Sequence, residues 1–106
     1  FFAAATTAGI KASGRPDLAL IVSDRPCAAA GVFTTSRTPA PPIAVNRRHL
    51  TSASAKAMRA MVVNSGNANA ATGAQGERDA EAMCAGVAEG LSALAEGDAA
   101  RPAEAL

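Results

Sequence analysis

Residues 62–73, VVNSGNANAATG, gather Asn64, Ser65, Asn67 and Asn69 within six positions, directly after two valines. Three carboxamides and a hydroxyl supply neutral donors and acceptors. They can orient a substrate or polarise a carbonyl. With no carboxylate, thiol or imidazole among them, they are poorly suited to serve as acid, base or metal ligand. The valines favour a half-buried strand, and Asn and Gly tolerate the left-handed backbone of a sharp turn at its end. Taken alone, the stretch is better explained as an Asn-rich turn that satisfies its own backbone than as a site.

Other residues with chemical potential are sparse. His49, the single histidine, falls in 47–57, RRHLTSASAKA, a weak surface-helix candidate. A solvated or locally bonded imidazole is the plainer reading there, and no chemistry is assigned to it. Arg47 and Arg48 could meet an anionic substrate, although adjacent charges are more often a solvated face. Cys27 and Cys84 lack CxxC spacing and read as small buried hydrophobes rather than a disulfide, a zinc site or a reactive thiol. Glu77, Asp79 and Glu81 crowd the start of a helix, where carboxylates complement the dipole, with Gly76 as the N-cap. A helix that follows a Gly- and Asn-rich loop invites an anion, but neither GxGxxG nor GxxxxGK[ST] occurs. A GxSxG elbow and a nucleophile with a basic neighbour are equally absent.

The elements that must position these residues follow from patterning. The apolar run 17–23, DLALIVS, is bounded by Gly14, Pro16 and a turn at 24–26 and reads as a strand. A second strand is expected at 28–35, joined to the first by a hairpin, and a third at 41–46. Prolines at 39, 41 and 42 argue against a helix in that third segment and place it at a sheet edge. A fourth strand, 59–64, leads into the Asn-rich loop. A long amphipathic helix, 77–95, then carries Ala80, Met83, Cys84, Val87, Leu91 and Leu94 along one core-facing stripe. The fold class is α/β.

Composition sets the outer limits. In 106 residues, 49% hydrophobic content suffices for a core, but aromatic residues make up only 3%, so that core is built from aliphatic side chains. A net charge of +1 gives no footprint for nucleic acid or an acidic membrane surface. No apolar run approaches the ~20 residues of a membrane span, and residues 1–5 lack the flank and length of a signal peptide. A soluble, cytoplasmic protein is expected. The missing initiator methionine and the linker-like residues near 96–102 suggest a piece of something longer.

Three stretches extend the reading. In order they are GIKASGRPDLALIVSD at 9–24, CAAAGVFTTSRTPAPPI at 27–43 and VVNSGNANAATGAQGERDAEAM at 62–83. Together they resemble the N-terminal part of the ornithine acetyltransferase family, the bifunctional glutamate N-acetyltransferases of arginine biosynthesis. The likeness runs from about residue 9 to 95, and its most specific parts are GVFTT at 31–35 and NSGNAN at 64–69. It implies a larger self-cleaving acyltransferase fold in which residues 1–106 are part of the α half, without a complete catalytic domain. An internal threonine, freed as a new N-terminus on the β half, carries the acetyl group from N2-acetylornithine to glutamate as an acyl-threonine.

The family needs no separate cofactor, although acetyl-CoA serves some members as a substrate. Its partner is the β half of its own chain, in an α2β2 heterotetramer that acts on small molecules. Neither the nucleophilic threonine nor the Thr-Gly oxyanion pair has a counterpart here, so the resemblance puts both beyond Leu106 and implies an inactive fragment. Thr72 and Gly73 precede the family's oxyanion segment and are not assigned to it. In the complete protein, Asn64, Ser65, Asn67 and Asn69 are expected to support the active-site loops from behind. Two departures stand out: Ala71 where many members have Cys, and Pro39 where a Lys or polar residue is common. The first leaves a small side chain in place, while the second removes a backbone donor from the edge of the expected third strand. The alternatives are an aminopeptidase relative with an N-terminal nucleophile, or a stand-alone non-catalytic binding module.

Overall fold

The computed structural model describes residues 1–52 and 56–99, with side chains through residue 97. Its elements run β1 (Phe2–Thr6), β2 (Leu18–Cys27), α1 (Pro41–Thr51), β3 (Met58–Asn64) and α2 (Gly73–Ala99). The strands form one antiparallel sheet in the order β1-β2-β3. The mixed α/β class expected from patterning is the one observed.

Register explains which side chains share a face. Ala4, Leu20 and Val62 stand side by side across the three strands, as do Ala3, Ile21 and Met61 on the opposite face. β3 alternates half-buried and exposed positions along its whole length, so Met58, Ala60, Val62 and Asn64 face inward. The other face is open: Met61 is 55% exposed and Val63 47%. Near its end β2 slips register between Val22 and Cys27. There Arg59 Nε donates to the Ser23 carbonyl at 3.1 Å and the Cys27 thiol to the Met58 carbonyl at 3.1 Å, which closes the irregular end.

Of the four expected strands, two are observed and two are not. Residues 17–23 and 59–64 are strands, and β2 continues to Cys27. Segment 28–35 is not a strand. Its β-branched residues suit one, but both edges of β2 are already taken, by β1 and β3, so no hairpin partner remains. The segment is instead pinned to α1, where the Arg47 guanidinium lies 5.5 Å from the Phe33 ring centre and donates to the Thr34 carbonyl at 2.8 Å. Residues 41–46 are likewise no strand but the first half of α1. Pro41 and Pro42 occupy the opening helical positions, where an N–H has no helical acceptor in any case and a φ near −65° is already correct. The expected short helix at 47–57 is the second half of that helix and stops at Thr51; residues 53–55 lie outside the described residues. With no strand there, Pro39 has no strand edge to disturb.

β1 was not anticipated, because three alanines in FAAAT have little β-propensity. α2 is the expected helix, but it begins a turn earlier, at Gly73. Gly76 is therefore inside its first turns rather than capping it, and no acid occupies the first turn. Its apolar stripe is graded: Ala80 is buried, Met83, Cys84, Val87 and Leu91 are half-buried, and Leu94 is 70% exposed. α1 packs against α2, and Val45, at 1% exposure, is the most deeply buried apolar side chain described. The molecule is a slab of 54 × 38 × 21 Å with a radius of gyration of 15.8 Å, against about 13 Å for a compact domain of ~100 residues. A layer this thin has little interior, so Phe1, Phe2, Met61, Val63 and Leu94 stay exposed.

Candidate functional site

The Asn-rich loop starts where β3 ends. Asn64 Nδ2 donates to the Asn67 carbonyl at 2.8 Å, and Asn67 Oδ1 accepts the Asn69 N–H at 2.9 Å. Between them the chain reverses through Gly66 at φ +109°, a conformation open to glycine. Asn69 itself is left-handed at φ +50°, which Asn tolerates better than most side chains. Its amide Nδ2 donates to the Gly76 carbonyl at 2.7 Å, and its Oδ1 and backbone carbonyl share the Thr72 hydroxyl at 2.8 and 2.9 Å. Gly76 fits because it lacks a Cβ, which would run into Thr72 Oγ1, Asn69 Oδ1 and Pro41 Cγ. The loop is thus latched to the start of α2 and lies close to the start of α1.

The four candidates separate by use. Asn69 is consumed by this latch, and Ser65 contributes its backbone N–H, 2.8 Å from the Asp17 carbonyl. Among the described residues, Asn64 Oδ1, Asn67 Nδ2 and the Ser65 hydroxyl make no hydrogen bond. Asn64 and Asn67 border an open depression of about 540 Å³ that is closed on the far side by Ala40, Pro42 and Ile43 of α1 and its approach. Neutral amide groups around an open hollow can position a neighbour by hydrogen bonding; none can exchange a proton near pH 7.

Behind this loop is a residue that patterning did not flag. Asp17 is 2% exposed, yet its carboxylate accepts three backbone N–H groups: Ala8 at 2.6 Å, Ile10 at 2.7 Å and Lys11 at 2.8 Å. The Ala8 and Lys11 bonds hold its carboxyl below the usual carboxylate range, against the opposing effect of burial. The connection between β1 and β2 is thereby wrapped around one side chain. That connection also touches the Asn-rich loop, since a Cβ on Gly66 would sit 3.2 Å from both Ile10 Cγ2 and Lys11 Cγ. A signal was present: an Asp opening an apolar strand after a Gly- and Pro-containing segment is a ready acceptor for nearby N–H groups.

The remaining candidates have found structural employment. Arg48 donates to Glu77 at 3.0 Å and Glu81 at 2.8 Å, and His49 Nε2 lies 3.3 Å from Glu81 Oε2. Hydrogen bonding from Arg48 lowers the Glu81 pKa, and the two carboxylates raise that of Arg48. Glu77 and Glu81 thus bridge helices rather than start one. With Arg47 on Phe33 and Arg48 on α2, neither arginine is held for a substrate. Cys27 and Cys84 are free thiols, half-buried rather than fully buried, and burial pushes the Cys84 thiol up, away from nucleophilic use. No cluster of three metal-ligating side chains occurs among the described residues, nor a helix long and apolar enough to cross a membrane.

Comparison with known proteins places this geometry. The chain is 56% identical over 80 residues to the arginine biosynthesis bifunctional protein ArgJ of Gloeobacter violaceus, covering 76% of this chain and 19% of that one. To the ArgJ of Thermus thermophilus it is 53% identical over 83 residues, covering 78% and 21%. Among solved structures, ornithine acetyltransferase from Mycobacterium tuberculosis, complexed with ornithine, superposes with a TM-score of 0.69 at 47% identity, covering 76% of this chain and 40% of that chain. ArgJ from Bacillus halodurans gives 0.71 at 37% identity, covering 78% and 42%. The chain spans about a fifth of the length of the curated relatives it matches. The ArgJ family model matches residues 2–100, which takes in β1, the Asp17 grip, the Asn-rich loop and α2, and the chain belongs to the ArgJ family.

Proposed function

We propose that residues 1–106 are the front part of the α half of an ornithine acetyltransferase that moves acetyl from N2-acetylornithine to glutamate in arginine biosynthesis. The observation that carries this reading is the family match across residues 2–100, joined to a superposition on ornithine acetyltransferase at 47% identity. In the proposed cycle a threonine exposed by self-cleavage is the nucleophile, and its own α-amine, with an ordinary pKa of about 7.7–8.0, takes the hydroxyl proton. The hydroxyl oxygen bonds to the acetyl carbon, the C–N bond to ornithine breaks, and the proton leaves on the ornithine amine. The glutamate amine then attacks the ester and frees the threonine. Donors aimed at the carbonyl oxygen stabilise the charge that develops there.

Asn64, Ser65, Asn67 and Asn69 brace that site and take no part in proton transfer. Their chemistry supports this role, since the loop is satisfied largely by itself and holds no acid or base. The 106 residues alone are inactive in this scheme, because no nucleophile–base pair occurs among the described residues. The working enzyme is a cytoplasmic α2β2 assembly without a separate cofactor, with acetyl-CoA as an additional acetyl donor in a bifunctional form.

The test is to incubate the purified full-length protein with N2-acetylornithine and glutamate and to follow acetylglutamate and ornithine. Equimolar appearance of both is the expected result. Peptide hydrolysis without acetyl transfer would overturn the reading in favour of an aminopeptidase relative.

A further inference from the structure

We propose that Asp17 is a positioning residue for acetyl transfer: by gripping the β1–β2 connection it fixes the Asn64–Asn69 loop, although it lies outside the Asn-rich motif. This rests on the acetyltransferase reading above. Three observations converge on it. Asp17 is 2% exposed and its two carboxylate oxygens are divided among three N–H groups, Oδ1 to Ala8 and Oδ2 to Ile10 and Lys11. Its backbone carbonyl accepts the Ser65 N–H at 2.8 Å, so the same residue ties the end of β3 directly. The residues it grips, Ile10 and Lys11, then pack over Gly66 at the turn of the Asn-rich loop, where an added Cβ would sit 3.2 Å from each of them.

A carboxylate is the group this arrangement requires. It presents only acceptors, so all three N–H groups can be met at once. An amide of the same shape replaces one oxygen with an NH2, which would face either Ala8 or the Ile10–Lys11 pair donor to donor. The β1–β2 connection would then leave Gly66, and the Asn-rich loop would lose one of the two walls that define it. The other wall, the Asn69–Gly76 latch, does not involve Asp17. Asn64 and Asn67 therefore shift while α2 stays in place.

The experiment is single-turnover and steady-state acetyl transfer by the full-length enzyme carrying Asp17→Asn or Asp17→Glu. Active sites are counted by the burst of acyl-enzyme. If Asp17 positions the loop, kcat per counted active site falls about tenfold or more in each variant, since sub-ångström misplacement is costly in catalysis. Arg25→Ala, on an exposed side chain that bonds only Asp24, leaves kcat unchanged. A purely structural role instead lowers the number of active sites and leaves kcat per site within about threefold, which overturns the proposal. Should Asp17→Asn fail to fold, Asp17→Glu, which keeps the carboxylate but displaces it by a methylene, decides by the same criterion. Absence of transfer in the wild type removes the acetyltransferase reading and this proposal together, whereas normal transfer with unaffected variants removes only this one.

Discussion

Two seams hold this slab together, and each is stitched by a charged side chain. At one, Asp17 draws the β1–β2 connection onto the end of β3 through backbone N–H groups, almost out of reach of water. At the other, Arg48 joins α1 to α2 through Glu77 and Glu81, with side chains 44–50% exposed. Buried hydrogen bonds to a charge have no competing water, while exposed ion pairs trade one set of hydrated contacts for another. The first seam should therefore define geometry near the Asn-rich loop, and the second should matter little.

Breaking the Asp17 seam is the harshest test of that contrast. In the full-length protein, Asp17→Asn is expected to speed hydrogen exchange of the 7–16 backbone about tenfold or more, while α2 keeps its protection. Mass spectrometry of peptides spanning the two regions measures both. Equal loss in α2 would show that the seams are not separable.

The helix seam is expected to depend on packing instead of charge. Val45 on α1 and Ala80 on α2 are among its buried residues, at 1% and 6% exposure. Val45→Ala removes two methyl groups from a fully enclosed position, which costs about 2 kcal/mol once the cavity is included. Urea unfolding with exchange in α1 as the readout tests this, and a change no larger than that of an exposed alanine substitution would refute it.

Acid gives a further test of the Asp17 seam. Asp17 and Glu81 both have folded pKa values below their ordinary ones, of about 3.9 and 4.3. A depressed carboxylate contributes stability that is fully present above its unfolded pKa and is lost as pH falls through the folded value. Neither seam should weaken between pH 7 and pH 5 on this account. Below about pH 4 the 7–16 amides should lose protection, and that acid sensitivity should disappear in Asp17→Asn.

The same contrast explains what could be read in the sequence. β3 and α2 were legible because their signals are local, an alternation leading into an Asn-Ser-Gly turn and a helical stripe from Ala80 to Leu91. The Asn-rich loop was legible as a turn for the same reason, and Asn69 does satisfy its own neighbourhood. Asp17 was visible only as a residue type. Its partners lie 6–9 positions upstream, in a loop whose path depends on Gly9 and Gly14 at φ +79° and +67°. Pro41 and Pro42 were ambiguous in principle, since a strand edge and a helix start both accommodate a missing N–H. Packing of α1 against α2, with Val45 enclosed between them, decides for the helix. Glu77 and Glu81 misled because their partner Arg48 is 29 and 33 residues away.

Arg48→Ala should be the mildest change. It removes two ion pairs at once, but Glu77 and Glu81 remain exposed enough for water to take the place of the guanidinium. The Tm of the full-length protein is expected to move by no more than a degree or two, and exchange in α1 by less than about threefold. Even that effect should vanish in ~1 M NaCl, where the screening length shrinks to about 3 Å. The Asp17→Asn effect on the 7–16 backbone should persist in the same salt, because its hydrogen bonds are shielded by the protein. A salt-sensitive Asp17 seam, or a salt-resistant Arg48 one, would reverse the assignment of which charge is stitched into the fold and which lies on its surface.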